Sequence, residues 1–138
     1  MKVVLDTNIW ISGLLIPKSR AGRLIELWKS RELELITSDF IIHEIQKVLS
    51  YPKIQKHLKW STQKIEQFAI LIKFFSEQII LPDHLETPNV PKDLNDNAIL
   101  ATLLLSEAEM LITGDDDLLS LKKHYPIITL NDFFERFI

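Results

Sequence analysis

The sequence contains no cysteine, which excludes a thiol nucleophile, a disulfide framework and a zinc ribbon. It has only three glycines and no Ser/Gly-rich or low-complexity stretch, so nothing marks a linker, and one domain over residues 1–138 is expected. No apolar run is long enough to cross a bilayer and no basic-then-apolar leader opens the chain. The expectation is a soluble cytoplasmic protein with no membrane partner. Positive charge is not in excess either: 16 Lys and Arg stand against 19 Asp and Glu, a net charge of −3. Nucleic acid would therefore have to be held by a local patch rather than by the charge of the whole molecule. A chain of 138 residues buries roughly two-thirds of its unfolded surface and folds without metal or disulfide staples.

What is present is an alternation of short apolar runs with longer periodic segments. Strand-like runs occur at Lys2–Leu5, Leu33–Ile36, Met110–Thr113 and Ile127–Thr129, with a weaker one at Gln78–Leu81. Helical spacing of apolar residues marks Arg20–Arg31, Phe40–Ser50 behind a cap at Ser38, Trp60–Ser76, and Asn95–Glu107. Pro52 reads as a stop after the second of these. Strands alternating with helices imply parallel strands joined by right-handed crossovers. The expected fold class is α/β: a three-layer sandwich around a parallel sheet of about five strands, with two consecutive helices inserted between Phe40 and Ser76.

Several acids stand where a fold-only reading has no use for them. Val3-Val4-Leu5 runs directly into Asp6, and Leu111-Ile112-Thr113 runs through Gly114 into Asp115-Asp116-Asp117. In a doubly wound sheet the carboxyl ends of strands are where ligands bind, so both acids reach one edge. Glu44 lies three residues after Ile41 and four before Val48, on the stripe that otherwise faces the core, and Asp96 has the same relation to Ile99 and Leu100. Buried acids are rare unless paired or bound to a cation. Gathering Asp6, Glu44, Asp96 and Asp115 in one place is unfavourable unless some protonate or a cation neutralises them. An all-oxygen, carboxylate-rich site suits Mg²⁺ or Mn²⁺, which can activate water against a phosphodiester. Thr7, Asn8, Ser12 and Thr113 are short polar residues at the same edge, able to orient carboxylates or water.

Each acid also has a purely structural reading. Asp115 or Asp116 could cap a short helix around Leu118–Lys122, Asp96 could serve a helix dipole, and Asn8 could close an Asx turn. Glu44 gains nothing from capping. Four acids delivered by four separate segments to one sheet edge favour the joint functional reading.

With these residues assembled, the chain resembles the PIN-domain ribonucleases, and more narrowly the PIN-family toxins of bacterial toxin–antitoxin pairs. The resemblance runs through VVLDTNIWISGLL, SDFIIHEIQKVL, KDLNDNAILATLLLSEAEMLITGD and the DDLL that follows. The family pattern falls on Asp6-Thr7-Asn8, Glu44, Asp96 and Thr113-Gly114-Asp115-Asp116-Asp117. Asp93-Leu94-Asn95-Asp96-Asn97 resembles the Asp-Pro-x-Asp-Asn run of relatives apart from Leu94, which puts the mid-chain acid at Asp96 with Asp93 and Asn97 in support. The resemblance implies an Mg²⁺- or Mn²⁺-dependent endoribonuclease, often a homodimer and often blocked by a cognate antitoxin protein. It assigns Asp6, Glu44, Asp96 and Asp115 to catalysis, and Asp6, Asp96, Asp115 and Asp117 to the metal.

The stretch from Lys47 to Lys64 carries Lys47, Lys53, Lys56, Lys59 and Lys64 with Tyr51 and Trp60 interleaved and no acid. It is a candidate RNA-contacting surface, since lysines hold phosphates and aromatics stack bases, and it is equally an ordinary solvated face. Arg20 and Arg23 form a second, smaller basic group. His43, His57, His84 and His124 are expected at the surface, and the apolar C-terminus Phe133–Ile138 is expected to dock on the domain's own core. A receiver-type module would need a lysine after the last strand, where Leu130-Asn131-Asp132 stands, and a haloacid-type phosphatase would need an aspartate in place of Asn8. The remaining alternative is a catalytically weak PIN-like module that binds RNA or a partner.

Overall fold

Val3, Val4 and Leu5 are completely excluded from solvent, so strand β1 (Lys2–Leu5) is covered on both faces, as its unbroken apolar run requires. The structure is a computed structural model that describes residues 1–83 and 94–138. After β1 come helices α1 (Thr7–Leu15) and α2 (Arg20–Lys29), strand β2 (Glu34–Ser38), helices α3 (Asp39–Leu49), α4 (Pro52–Leu58) and α5 (Thr62–Phe75), and strand β3 (Glu77–Ile79). The second half holds α6 (Leu94–Leu104), β4 (Met110–Ile112), α7 (Asp116–Leu119), β5 (Ile127–Ile128) and α8 (Leu130–Phe137). The five strands form one sheet in the order β3-β2-β1-β4-β5, with every neighbouring pair parallel. Helices flank it, giving the α/β sandwich expected from the alternation of elements.

The chain builds β1, β2 and β3 outward in one direction, then crosses back to place β4 on the other side of β1. The carboxyl ends of β1 and β4 are thus neighbours at the point where the strand order reverses, which is where open α/β sheets bind ligands.

Some boundaries differ from the expectation, each for a physical reason. Three helices, not two, lie between Phe40 and Ser76: Pro52 ends α3's neighbourhood but also opens α4 from its first position, where its missing N–H costs nothing. Lys59 closes α4 in a left-handed conformation at φ 56°, and Ser61 caps α5 by accepting from the Lys64 amide at 3.1 Å. β5 stops at Ile128 because Thr129 turns to cap α8, accepting from the Asp132 amide at 3.1 Å. Gly13 allows α1 to lie close on α2: a Cβ there would meet Ile25 Cδ1 at 2.5 Å and the Ala21 carbonyl oxygen at 2.8 Å.

The C-terminus docks on the domain. Phe133 is buried, its ring 5.2 Å from that of Phe137, and α8 packs against α2. Arg20 donates to Asn131 Oδ1 at 2.8 Å and lies over the Phe134 ring at 5.5 Å.

Candidate active site

Asp6 follows β1 directly, and its amide donates to the Ile112 carbonyl of β4 at 3.0 Å, so the backbone is pinned between the two strands. Its carbonyl accepts from Ile9 and Trp10 as α1 begins. One oxygen of the buried carboxylate accepts the Thr113 hydroxyl at 2.7 Å. Thr113 is fully buried, and its Oγ1 in turn accepts from the Asp115 amide at 3.0 Å. The Asp115 amide, the Thr113 hydroxyl and the Asp6 carboxylate form a continuous chain that polarises each bond in it and fixes the first acid relative to the last.

Asp115 serves twice. It caps α7, with Oδ1 accepting from Asp117 at 2.8 Å and from Leu118 at 3.4 Å. One carboxylate oxygen from each of Asp96, Asp115 and Asp117 also lies within 4.8 Å of the other two. The capping reading and the ligand reading are therefore compatible in one residue. Asp6 lies outside that trio but shares with Glu44, Asp96, Asp115 and Asn8 the wall of a cavity of about 240 Å³.

Glu44 and Asp96 are carried by α3 and α6, and the two helices are tied together beneath the cavity. Ser38 caps α3 through the Ile41 amide at 3.3 Å, and Thr102 Oγ1 of α6 lies 2.9 Å from Ser38 Oγ. Ile41 and Ile45 of α3, with Ala98, Ile99 and Leu100 of α6, are buried and set the rotation of each helix. Glu44 is half-buried with its side chain 14% exposed, and Lys47 Nζ stands 3.9 Å from one of its oxygens. Asp96 is buried in the first turn of α6.

The remaining sequence-predicted residues are distributed as follows. Asn8 is exposed at the cavity wall, Asp117 is exposed beside Asp115, and Ser12 is exposed one turn further along α1, outside the wall. Asn97 is half-buried, with its Oδ1 lacking a hydrogen-bond partner among the described residues, and does not line the cavity. Asp93 and His84 lie outside the described residues, and His43, His57 and His124 are exposed. Lys47, Lys53 and Lys56 are exposed on α3 and α4, whereas Arg20 is held by α8 and Arg23 stands 3.3 Å from Glu26. Sequence reasoning missed Thr102, whose signal was a lone hydroxyl on the apolar run of α6. It also placed Tyr51 on the basic surface without foreseeing that Tyr51 and Phe40 would line the acidic cavity.

The donor set fits a hard divalent cation. It consists of carboxylate oxygens crowded at one strand edge, and the Thr7 hydroxyl oxygen in the same wall is buried with no hydrogen-bond partner among the described residues. Asp6 carries the electrostatic cost. Burial pushes its carboxyl above the ordinary carboxylate value, the Thr113 hydroxyl opposes that shift, the Asp115 charge adds to it, and the amides of Thr7 and Asn8 oppose it. A carboxyl whose folded value is raised binds its proton more tightly in the native state. The stability this contributes is complete below the unfolded value, near 3.8, and is lost as pH rises through the folded value. In a chelator, Asp6→Asn is therefore expected to raise Tm relative to the native protein, by more at pH 7.5 than at pH 4, as read by thermal melts across pH. A gain that shrinks with rising pH would contradict the assignment.

Residues 2–117 match the family described as PIN domain. An uncharacterized protein of Methanocaldococcus jannaschii is 32% identical over 132 residues, covering 96% of this chain and 82% of that protein. Among solved structures, a chain in the crystal structure of VapBC2 from Rickettsia felis bound to a DNA fragment from their promoter superposes with a TM-score of 0.59. It is 19% identical, with 94% of this chain and 98% of that one covered, a likeness of fold.

Proposed function

The chain belongs to the PIN-domain family, and from that premise we propose that it is a metal-dependent endoribonuclease, the toxin of a toxin–antitoxin pair, acting as one domain over residues 1–138 in the cytoplasm. The observation that carries the reading is the delivery of Asp6, Glu44, Asp96 and Asp115 by separate elements to one cavity at the reversal of strand order. Asp6, Asp96, Asp115 and Asp117 would hold Mg²⁺ or Mn²⁺. The ion supplies Lewis acidity, easing deprotonation of water and offsetting the charge that gathers on the phosphate during attack.

The chain's own residues do the rest. Thr113 holds the Asp6 carboxylate in place and Asp115 is fixed by its capping bonds, so neither must reorganise when substrate arrives. Glu44, with Lys47 beside it, accepts at a carboxylate oxygen the proton released by water as the water oxygen bonds to phosphorus. The bond from phosphorus to the leaving ribose oxygen breaks, and that oxygen takes up a proton from solvent water, while Glu44 returns its own proton to solvent to complete the cycle. Asn8 is placed to orient water at the cavity wall, and Tyr51 and Phe40 offer rings beside the acids against which a base can rest. Asn97 and Asp93 are assigned supporting parts and Ser12 an outer one.

Lys47, Lys53 and Lys56 form the surface proposed to hold RNA phosphates, and Arg20 and Arg23, already engaged within the domain, contribute less. Replacing Lys53 and Lys56 together by alanine is expected to weaken RNA binding uniformly across sequences and to reduce the salt slope by about 1.4, near 0.7 per phosphate contact for a single strand. Filter binding across a salt series measures it; an unchanged slope would remove both lysines from the interface.

The likeness in fold to a chain in the structure of VapBC2 bound to a DNA fragment from their promoter supports a cognate antitoxin as protein partner. A homodimer is proposed as the assembled form. Among the described residues no helix is long and apolar enough to cross a membrane. The activity is tested by incubating the protein and Asp6→Asn with structured RNA in Mn²⁺ or in EDTA. Cleavage is expected only from the native protein with Mn²⁺. Absence of cleavage under every condition would favour an RNA- or partner-binding module instead.

A further inference from the structure

A second cavity, of about 450 Å³, opens along the free edge of the sheet beside β5 and shares no lining residue with the acidic cavity. Its charged residues are Lys122, Lys123 and Arg136 against a single acid, Asp132. Among the described residues none of these three cations forms an ion pair, and all three are exposed, in a chain whose net charge is −3. The floor is apolar, with Met110 and Leu119 half-buried beside the strand.

β5 ends the strand order, so among the described residues no strand pairs with its outer side, and the side chains of Ile127 and Ile128 are buried. β4 donates from Leu111 to the Pro126 carbonyl at 2.9 Å and from Thr113 to the Ile128 carbonyl at 3.1 Å, so these groups face inward. Alternation then turns the Ile127 carbonyl and the Thr129 amide outward. The Ile127 amide is spent locally on the Tyr125 carbonyl at 2.8 Å. An outward acceptor and donor beside a cationic, apolar-floored groove is what an added strand requires, with backbone bonds giving affinity and alternate side chains giving specificity.

We propose that this groove docks an extended segment of a partner protein whose side chains alternate between acidic and apolar. The apolar floor favours a peptide over a nucleic-acid backbone, which would use the cations but leave Met110 and Leu119 uncovered. The acidic side chains lie against Lys122, Lys123 and Arg136, and the peptide backbone pairs with Ile127 and Thr129.

The test uses the full chain, a short fluorescein-labelled peptide of alternating Glu and Val, its counterpart with Lys for Glu, and a labelled single-stranded RNA. Fluorescence anisotropy is expected to show binding of the acidic peptide and not of its Lys counterpart, weakened by about tenfold or more in Lys122→Glu/Lys123→Glu, whereas the RNA, held by Lys47, Lys53 and Lys56 outside this groove, is expected to bind that variant as it binds the native chain. Asp6→Asn, in the other cavity, is expected to leave it unchanged, which separates this site from the nuclease reading. Hydrogen exchange at the Thr129 amide is expected to slow when the peptide is bound. Equal binding of the Lys peptide, equal binding by the charge-reversed variant with unchanged Tm, preferential binding of RNA at this groove, or binding without protection of Thr129 would each overturn the proposal.

Discussion

Replacing Asp96 by asparagine is expected to lower Mn²⁺-supported RNA cleavage by about 100-fold or more, since losing a group that merely supports a metal ligand already costs about 10- to 100-fold. The side chain is buried on α6, whose rotation is fixed by Ala98, Ile99 and Leu100 and by the approach of Thr102 to Ser38. An isosteric amide keeps that packing and removes the charge, so activity is expected to fall far more than the melting temperature in a chelator. Asp115→Asn extends the same logic: asparagine caps a helix as well as aspartate does, so α7 is retained and the ligand charge alone is lost. Asp115→Ala removes both, and is expected to add a loss of about 1 kcal/mol in stability to the loss of activity. Initial rates at saturating Mn²⁺, with melts run in parallel, separate the two effects. Native-like cleavage by Asp96→Asn would show that the mid-chain acid has no part in the chemistry.

Trp10→Ala is expected to cost about 3–5 kcal/mol, the usual price of truncating a large buried aromatic. Against a total stability of about 5–15 kcal/mol for a domain, that leaves a substantial unfolded fraction. Trp10 is fully buried, with its ring centroid 5.1 Å from Trp28 of α2 and 6.3 Å from Phe68 of α5, so the substitution removes the aromatic contacts that α1 makes with both helices. Phe68 in turn lies 5.5 Å from Trp60, which has Lys64 over its face at 4.7 Å. The indole Nε1 is buried without a hydrogen-bond partner among the described residues. Trp10→Phe keeps most of the packing and removes that donor, so it is expected to cost less than about 2 kcal/mol. Urea titrations of both variants check the ordering. An equal loss in both would mean that the indole N–H is satisfied and that its bond, rather than the ring, is what matters.

The parts of the fold that were legible in the sequence are those where one force dominates. β1 announces itself because both of its faces are covered, and α3 because Ile41 and Ile45 alternate with polar residues at helical spacing. Glu44 was visible as a charge on that buried stripe, and Asp6 as a charge ending a buried strand. α1 was not assigned, because Ile9, Trp10 and Ile11 are buried on consecutive positions and leave only Asn8 and Ser12 as a narrow exposed face, too little from which to read a period. α4 was hidden by Pro52, which carries the same signal for ending one helix and opening the next.

At the site, residue types were legible but their joint duties were not. The sequence poses capping and metal binding as alternatives for Asp115, whereas its fixed Oδ1 leaves the carboxylate free to take part in both. The bond from Thr113 to Asp6 spans 107 positions of sequence, and the approach of Thr102 to Ser38 spans 64. Contacts of that range depend on strand order, which alternation of elements restricts without determining.

The central claim is that this cavity binds a divalent cation through its acids, and it is tested most directly by titrating Mn²⁺ into the protein while following free Mn²⁺ by electron paramagnetic resonance. Saturable binding is predicted for the native chain, with affinity falling by about tenfold or more in both Asp6→Asn and Asp96→Asn. Binding that is unchanged in those variants, or no binding to the folded native chain, would contradict it.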